Sequence, residues 1–159
     1  MTTDSLLRPH QASMTQLVLP NDTNQLGNLL GGQLMHWIDL VAAIAAARHA
    51  KYVCVTASVD DLNFLHPIKL GEVVTMYASV NRVFRTSMEV GVKVFSENLR
   101  TGVVKHANTA YLTFVAIDEN GTPMQVPQVP LGTDEEHRRF TDAQHRRELR
   151  LARRKKLLS

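Results

Sequence analysis

Residues 31–47 read Gly31-Gly32-Gln33-Leu34-Met35-His36-Trp37-Ile38-Asp39-Leu40-Val41-Ala42-Ala43-Ile44-Ala45-Ala46-Ala47. Apolar side chains recur at Leu30, Leu34, Ile38, Val41, Ala45 and Ala46, close to the three-and-four spacing of a helix, and no proline interrupts 29–50. The spacing predicts one long helix over 29–50, opened by the glycine pair. Its alanines favour helix and let neighbouring chain pack closely. A helix this apolar on several sides has to be covered.

The cover lies downstream, where the period changes to two. In Val74-Thr75-Met76-Tyr77-Ala78-Ser79-Val80-Asn81 apolar and polar residues alternate without a fault, the pattern of a half-buried antiparallel strand. The same reading covers 53–64, 88–97 and 104–117, with turn chemistry at 67–71, 82–87, 98–102 and 119–121. A further short strand is expected at 15–19, ahead of the helix. One long helix followed by a long antiparallel meander implies an α+β domain whose sheet wraps its concave face around the helix.

Beyond this unit, Pro123, Pro127 and Pro130 make 122–132 an extended linker, since prolines at that spacing fit neither a helix nor a central strand. Thr133-Asp134-Glu135-Glu136 then sets a helix cap with acids in the first turn, and Arg, Lys, Gln and Leu dominate from there to the end of the chain. The expected organisation is an N-terminal tail over 1–14, the main domain over 15–121, the linker, and a solvated basic C-terminal helix over 133–159.

Composition is consistent with one globular domain: 159 residues, 44% apolar, 21% charged, net charge +3. With 8 glycines, 6 prolines and a single cysteine, Cys54, the chain is neither collagen-like nor a disulfide scaffold. Cys54 reads as a small apolar strand residue, and a reducing cytoplasmic setting suits it. No apolar run reaches the roughly 20 residues of a membrane span, and Asp4, Arg8 and Pro9 stand where a signal peptide would be apolar. From 133 to the end there are 9 Lys or Arg against 5 Asp or Glu, so the basic character belongs to the tail. Only Phe140 could interleave an aromatic ring among those charges, so the tail does not read as a nucleic-acid surface; attraction of an anionic substrate or a subunit contact suits it better.

Chemistry concentrates around the helix. Asp39 is a carboxylate near the centre of an apolar helix, with Met35, His36, Ala42 and Ala43 around it. It either accepts a structural hydrogen bond or serves as a base or nucleophile. Upstream, the polar loop Asn21-Asp22-Thr23-Asn24-Gln25-Leu26-Gly27 feeds the Gly31-Gly32 helix start, whose free N–H groups can hold a carbonyl oxygen as negative charge develops on it. A loop asparagine, two glycines and a helix aspartate are the parts of a hydrolytic site.

Asn21-Asp22-Thr23-Asn24, Gly31-Gly32, Ile38-Asp39, Thr56-Ala57-Ser58-Val59-Asp60 and Asn63-Phe64-Leu65-His66-Pro67 together resemble the hotdog-fold acyl-CoA hydrolases, the cytosolic or brain-type acyl-CoA thioesterases. The resemblance runs from about 15 to 117. It implies hydrolysis of fatty acyl-CoA to CoA and free acid, with no cofactor or metal beyond the CoA of the substrate. It also implies homodimers with one continuous sheet, assembled as a trimer of dimers. Carried over residue by residue, the catalytic pair falls on Asn24 and Asp39, contributed from opposite subunits. Asp39 activates a water or attacks the thioester, Asn24 orients the water or carbonyl, and Gly31 and Gly32 stabilise the oxyanion. Arg85, Thr86 and Ser87 match the family's Arg-Thr/Ser-Ser signature and are expected to hold CoA. Asp61 departs from the basic or neutral residue of many relatives.

Other signals are weaker. His36, His66 and His106 lack ligand spacing with a cysteine or carboxylate, so no metal motif is present. The aspartate–histidine pairing of hydratases on this fold is missing, which favours hydrolysis over hydration. Two alternatives to an acyl-CoA thioesterase are a non-catalytic acyl-CoA sensing module and a thioesterase acting on acyl-carrier protein. Side chains such as Trp37, Met35 and Tyr77 are expected at the tunnel end, formed between subunits, that sets acyl chain length.

Overall fold

The computed structural model describes residues 7–159, so positions 1–6 of the expected N-terminal tail lie outside the described residues. Strand β1 (Gln11–Leu17) precedes helix α1 (Gly31–Ala50), followed by β2 (Val53–Val59), β3 (Val73–Phe84), β4 (Ser87–Glu97), β5 (Val104–Ile117) and helix α2 (Asp134–Leu157). The five strands form one sheet in the order β1-β3-β4-β5-β2, every pair antiparallel. This is the expected α+β arrangement, a curled sheet around a central helix.

The alternation read from the sequence is what curls the sheet around α1. Val74, Met76, Ala78 and Val80 of β3, Met88, Val90, Val92 and Val94 of β4, and Ala110, Leu112, Phe114 and Ala116 of β5 are all buried on one face. Against them lie Leu34, Ile38, Val41, Ala42, Ala45 and Ala46 of α1. Val41, Ala42, Ala45 and Ala46 are each 0% exposed, so small side chains let the strands approach the helix axis. Phe114 is the largest fully buried side chain, and its truncation to alanine should cost about 3–5 kcal/mol.

Several boundaries differ from the sequence reading for physical reasons. Strand β1 starts at Gln11, ahead of the expected 15–19, because pairing from Gln11↔Ser79 to Leu17↔Val73 recruits residues of weak intrinsic strand preference. Strand β2 stops at Val59 rather than 64. A bulge between Thr56 and Ser58 interrupts its register, and Asp60 and Asp61 then turn to α2, which supplies Arg150 (3.3 Å) and Arg153 (3.1 Å). The helix α1 begins at Gly31, after the extended Leu30.

The largest difference concerns the end of the chain. The proline-bearing segment buries Val126 and Val129, and Gln128 bonds both the N–H and the carbonyl of Val83 (2.8 and 3.0 Å). Helix α2 is capped by Thr133, whose Oγ1 accepts from Glu136 N–H (3.1 Å), as its sequence predicts. It is not solvated along its length, however. It docks on the outer face of the sheet, burying Ala143, and the buried Glu89 of β4 accepts two hydrogen bonds from Arg146 (2.9 and 2.7 Å). Arg82 of β3 stacks on Phe140 (3.9 Å to the ring centre) and Arg147 on Phe84 (4.3 Å). The outer face of the sheet carries the buried Glu89, and Arg146 of the helix supplies its counter-charge.

Candidate active site

Asp39 sits half-buried near the middle of α1, and Thr56 of β2 donates its hydroxyl to Asp39 Oδ1 at 2.5 Å. Thr56 stands immediately before the β2 bulge, where the register with β5 shifts between Thr56 and Ser58. One carboxylate oxygen is thus held, while Oδ2 accepts no hydrogen bond from the described residues. Thr56 received no role from sequence reasoning. A threonine in an alternating strand carries no local signal, and only its 17-residue separation from Asp39, closed by the fold, reveals it.

The loop holding Asn24 is tied in place before it reaches the helix. Asn24 N–H bonds Asn28 O (2.9 Å), Gly27 N–H bonds Asn24 O (3.0 Å), and Leu70 N–H bonds Gly27 O (2.8 Å). Gly27 adopts φ +75°, the conformation that lets this short loop close. Asp22 fastens the loop at both ends, accepting from Leu19 N–H (2.9 Å) and from Gln33 Nε2 (3.1 Å). The side chain of Asn24 accepts from Leu26 N–H (2.9 Å) and Asn28 N–H (3.2 Å) through Oδ1. Both partners are donors, so the amide orientation is fixed and the Nδ2 hydrogens face outward from an exposed side chain.

Gly31 and Gly32 open α1 without any side-chain cap. Its first carbonyl acceptor, Leu30 O, is used by Leu34 N–H (3.1 Å), so the glycine N–H groups ahead of it have no helical partner. The ring of Phe64 lies over Gly31, where a Cβ would stand 3.3 Å from it, whereas a Cβ on Gly32 would meet nothing. The open side of the glycine pair therefore belongs to Gly32.

The candidate residues make no direct contact with one another among the described residues. Asp39 lies seven residues beyond Gly32, about 10 Å along the helix axis. No hydrogen bond joins Asn24 to Asp39 among the described residues. Arg85 and Thr86 form the two-residue turn between β3 and β4, with Arg85 at φ +66°. Their carbonyls accept from Val126 N–H (2.8 Å) and Ala116 N–H (3.0 Å), and the Arg85 side chain is exposed. Tyr77 faces outward beside Phe95, on the side of the sheet opposite α1. The basic tail is also partly consumed, since Arg146, Arg150 and Arg153 pair with Glu89, Asp60 and Asp61. Burial pushes the Cys54 thiol up to about 11, in keeping with an inert strand residue. Among the described residues no group of three His, Cys, Asp or Glu side chains is gathered, and no helix is long and apolar enough to cross a membrane.

The chain matches known proteins over most of its length. The thioesterase superfamily profile covers residues 26–103. An uncharacterized acyl-CoA thioester hydrolase of Bacillus subtilis is 48% identical over 122 residues, 77% of this chain and 71% of that protein. A hexameric acyl-CoA thioesterase superposes with a TM-score of 0.88 at 42% identity, covering 91% of this chain and 93% of the other. An acyl-CoA hydrolase of Staphylococcus aureus, solved with butyryl coenzyme A and coenzyme A, superposes with a TM-score of 0.87 at 38% identity, over 93% and 90%. That enzyme has also been solved with an asparagine, an aspartate and a threonine each replaced by alanine. Longer mouse relatives are matched over about a quarter of their own length. A curled five-stranded sheet around one helix, with identities of this size over nearly the whole chain, leaves one assignment: the chain belongs to the acyl-CoA thioester hydrolases of the thioesterase superfamily, the hotdog fold.

Proposed function

We propose that the protein hydrolyses acyl-CoA thioesters with Asp39 as the catalytic carboxylate, at a site completed by a second copy of the chain. The observation that carries this reading is the Thr56–Asp39 hydrogen bond, which fixes one carboxylate oxygen and leaves the other to face a substrate. The three residues replaced in the S. aureus enzyme are spaced as Asn24, Asp39 and Thr56 are here, 15 and then 17 positions apart. That agreement supports giving all three a part in the reaction.

The second copy follows from distance and from exposed surface. Gly32 stands about 10 Å along the helix axis from Asp39, and Asn24 makes no hydrogen bond to it, which supports a partner's loop supplying these donors. Strand β2 is a sheet edge, and Val53 (67% exposed) and Val55 (42%) lie on it, while Met35 (42%) and Leu40 (40%) are exposed on α1. An apolar edge of this kind invites pairing with its own copy, extending the sheet across a two-fold axis. Trimers of such dimers are the further assembly we infer, in line with the hexameric relative.

In this site the thioester carbonyl accepts from Asn24 Nδ2 and the Gly32 N–H, and the developing oxyanion is stabilised there. The free oxygen of Asp39 either takes a proton from an attacking water or attacks the carbonyl carbon itself. In the first case the C–S bond of the tetrahedral adduct breaks and the thiolate of CoA recovers the proton. In the second the C–S bond breaks as a mixed anhydride forms and CoA leaves as its thiolate; water then splits the anhydride into the free acid and protonated Asp39, whose proton passes to the thiolate. The exposed guanidinium of Arg85 and the hydroxyls of Thr86 and Ser87 are the CoA-holding groups we assign. A reducing cytoplasmic location suits the substrate and Cys54.

The test is thiol release from acyl-CoAs of increasing chain length by the wild type beside Asp39→Ala. We expect release by the wild type and a loss of about 10²–10⁴-fold in the variant with folding retained. Undiminished release by Asp39→Ala would discard the mechanism. Binding of acyl-CoA without release at any chain length would make the protein a sensing module.

A further inference from the structure

Asp22 ties the loop of Asn24 to the start of α1. Leu19 N–H donates to Asp22 Oδ2 (2.9 Å), Leu30 N–H to the Asp22 carbonyl (2.9 Å) and Gln33 Nε2 to Asp22 Oδ1 (3.1 Å). Leu30 and Gln33 flank the glycine pair, so one residue of the loop grips the helix on both sides of Gly31-Gly32.

This grip departs from an ordinary helix start. Gln33 is the third residue of α1 after the Leu30 cap, and from that position a glutamine commonly reaches back to the N–H of the cap. Here the Asp22 carbonyl already accepts from Leu30 N–H, and the Gln33 amide goes to the Asp22 carboxylate instead. A carboxylate only accepts, which fixes the amide with Nε2 toward it. An acid beside a helix start ordinarily caps the free N–H groups there. Both oxygens of Asp22 are engaged elsewhere, by Leu19 and Gln33, and the Gly32 N–H is left without a partner among the described residues.

We propose, on the reading that Asn24, Gly32 and Asp39 make the reactive site, that Gln33 and Asp22 are a positioning pair for the hydrolysis. Their hydrogen bond sets the Asn24 amide against the Gly32 N–H, the two donors to the thioester oxygen, and keeps the Asp22 carboxylate off the second of them. Along the chain these donors are joined only through the turn at Gly27. The Asp22–Gln33 bond joins them directly, because Asn24 is two residues from Asp22 and Gly32 adjoins Gln33. Neither side chain touches the reacting atoms. Both act through where the donors stand, and a displacement of about 1 Å costs up to about 10²-fold in rate.

The experiment is steady-state kinetics of thiol release from butyryl-CoA or palmitoyl-CoA, whichever the wild type cleaves faster, with Asp39→Ala measured alongside. Gln33→Glu sets a second carboxylate against Asp22 and should lower kcat about 10–100-fold with KM within about twofold. Gln33→Ala removes the donor without adding charge and should lower kcat about tenfold in the same way. The double variant Asp22→Asn with Gln33→Glu reverses the bond: the amide at 22 keeps its oxygen for Leu19 N–H and donates to the carboxylate at 33. It should bring kcat back to within about threefold of the wild type. Damage to the fold alone would neither spare KM nor be undone by exchanging donor and acceptor. With Asp39→Ala inactive, full kcat in both Gln33 variants, a loss carried by KM, or a double variant no better than Gln33→Glu would each overturn the pair and leave the site standing. Release that survives Asp39→Ala would overturn the site and the pair together.

Discussion

Thr56 reaches Asp39 from a neighbouring strand with its hydroxyl hydrogen pointed at Oδ1, a charge-assisted contact of 2.5 Å between the sheet edge and the central helix. The bond restricts the carboxylate to one rotamer. It also commits one oxygen; in the mechanism we propose, a reacting water or carbonyl meets the other.

Thr56 is accordingly a positioning residue, and its removal should be felt in turnover more than in binding. Losing a hydrogen bond to a charged group is worth about 1.5–3 kcal/mol, which corresponds to roughly 10–100-fold in kcat. Thr56→Ala should lower kcat by that factor with KM little changed, and Thr56→Ser should recover most of it. Steady-state kinetics of the two variants decide the point: an equally poor Thr56→Ser would mean that the methyl group, not the hydroxyl, is what matters.

Asn24 offers a cleaner probe than its alanine variant, because its Oδ1 also closes the loop through Leu26 and Asn28. Asn24→Asp keeps the Oδ1 acceptor for both loop N–H groups and replaces the outward Nδ2 donor by a negatively charged oxygen, so the loop should survive while kcat falls by at least about 10²–10³-fold. Mixing Asn24→Asp with Asp39→Ala chains after dissociation and reassembly tests the shared site. Random pairing makes half of the dimers hybrid, each with one intact site of two, so about a quarter of wild-type activity should return. No recovery in verified hybrids would assign both residues to one subunit's site.

How much of this was legible beforehand depended on the range of the interaction. Period-two alternation marked β3 and β5 because each strand carries its own buried face, and the Asp39 carboxylate stood out against an apolar helix. Gln11 to Met14 could not be read as strand, since its pairing with β3 is decided by residues more than sixty positions away. Thr56 was invisible for the same reason. The tail misled for another: arginines at helical spacing look solvated until the fold reveals Glu89, Asp60 and Asp61 waiting for them. Acidic residues inside or at the end of a strand are the signal that could have been used.

Glu89 is 0% exposed and depends on Arg146 for charge balance, with Asn81 donating a third hydrogen bond. Arg146→Met would leave that carboxylate buried and unpaired, at a cost of about 3–5 kcal/mol. Arg150→Ala, which removes a partly exposed pair with Asp60, should cost no more than about 1 kcal/mol. The double variant Glu89→Met with Arg146→Met should regain much of the loss. Urea denaturation of the three proteins provides the comparison, and equal losses for Arg146→Met and Arg150→Ala would show that α2 is not anchored through Glu89.

A second buried group makes stability depend on pH. His10, 1% exposed, has its Nε2 3.3 Å from Glu136 Oε2, while Arg8 bonds the other Glu136 oxygen (2.7 Å) and the His49 ring lies edge-on at 6.4 Å. Desolvation by burial holds the His10 pKa below its ordinary value of 6.5; Glu136 opposes this, and Arg8 and His49 reinforce it. The unfolded chain therefore binds more protons than the folded one between the folded pKa and 6.5. Stability from this residue is complete above 6.5 and is lost as pH falls through that window, until the folded pKa is reached. The urea midpoint of the wild type should drop from pH 7.5 to pH 5.5 by more than that of His10→Phe, which cannot take up the proton. Parallel declines in the two proteins would remove His10 as the cause and direct attention to the carboxylates paired with α2.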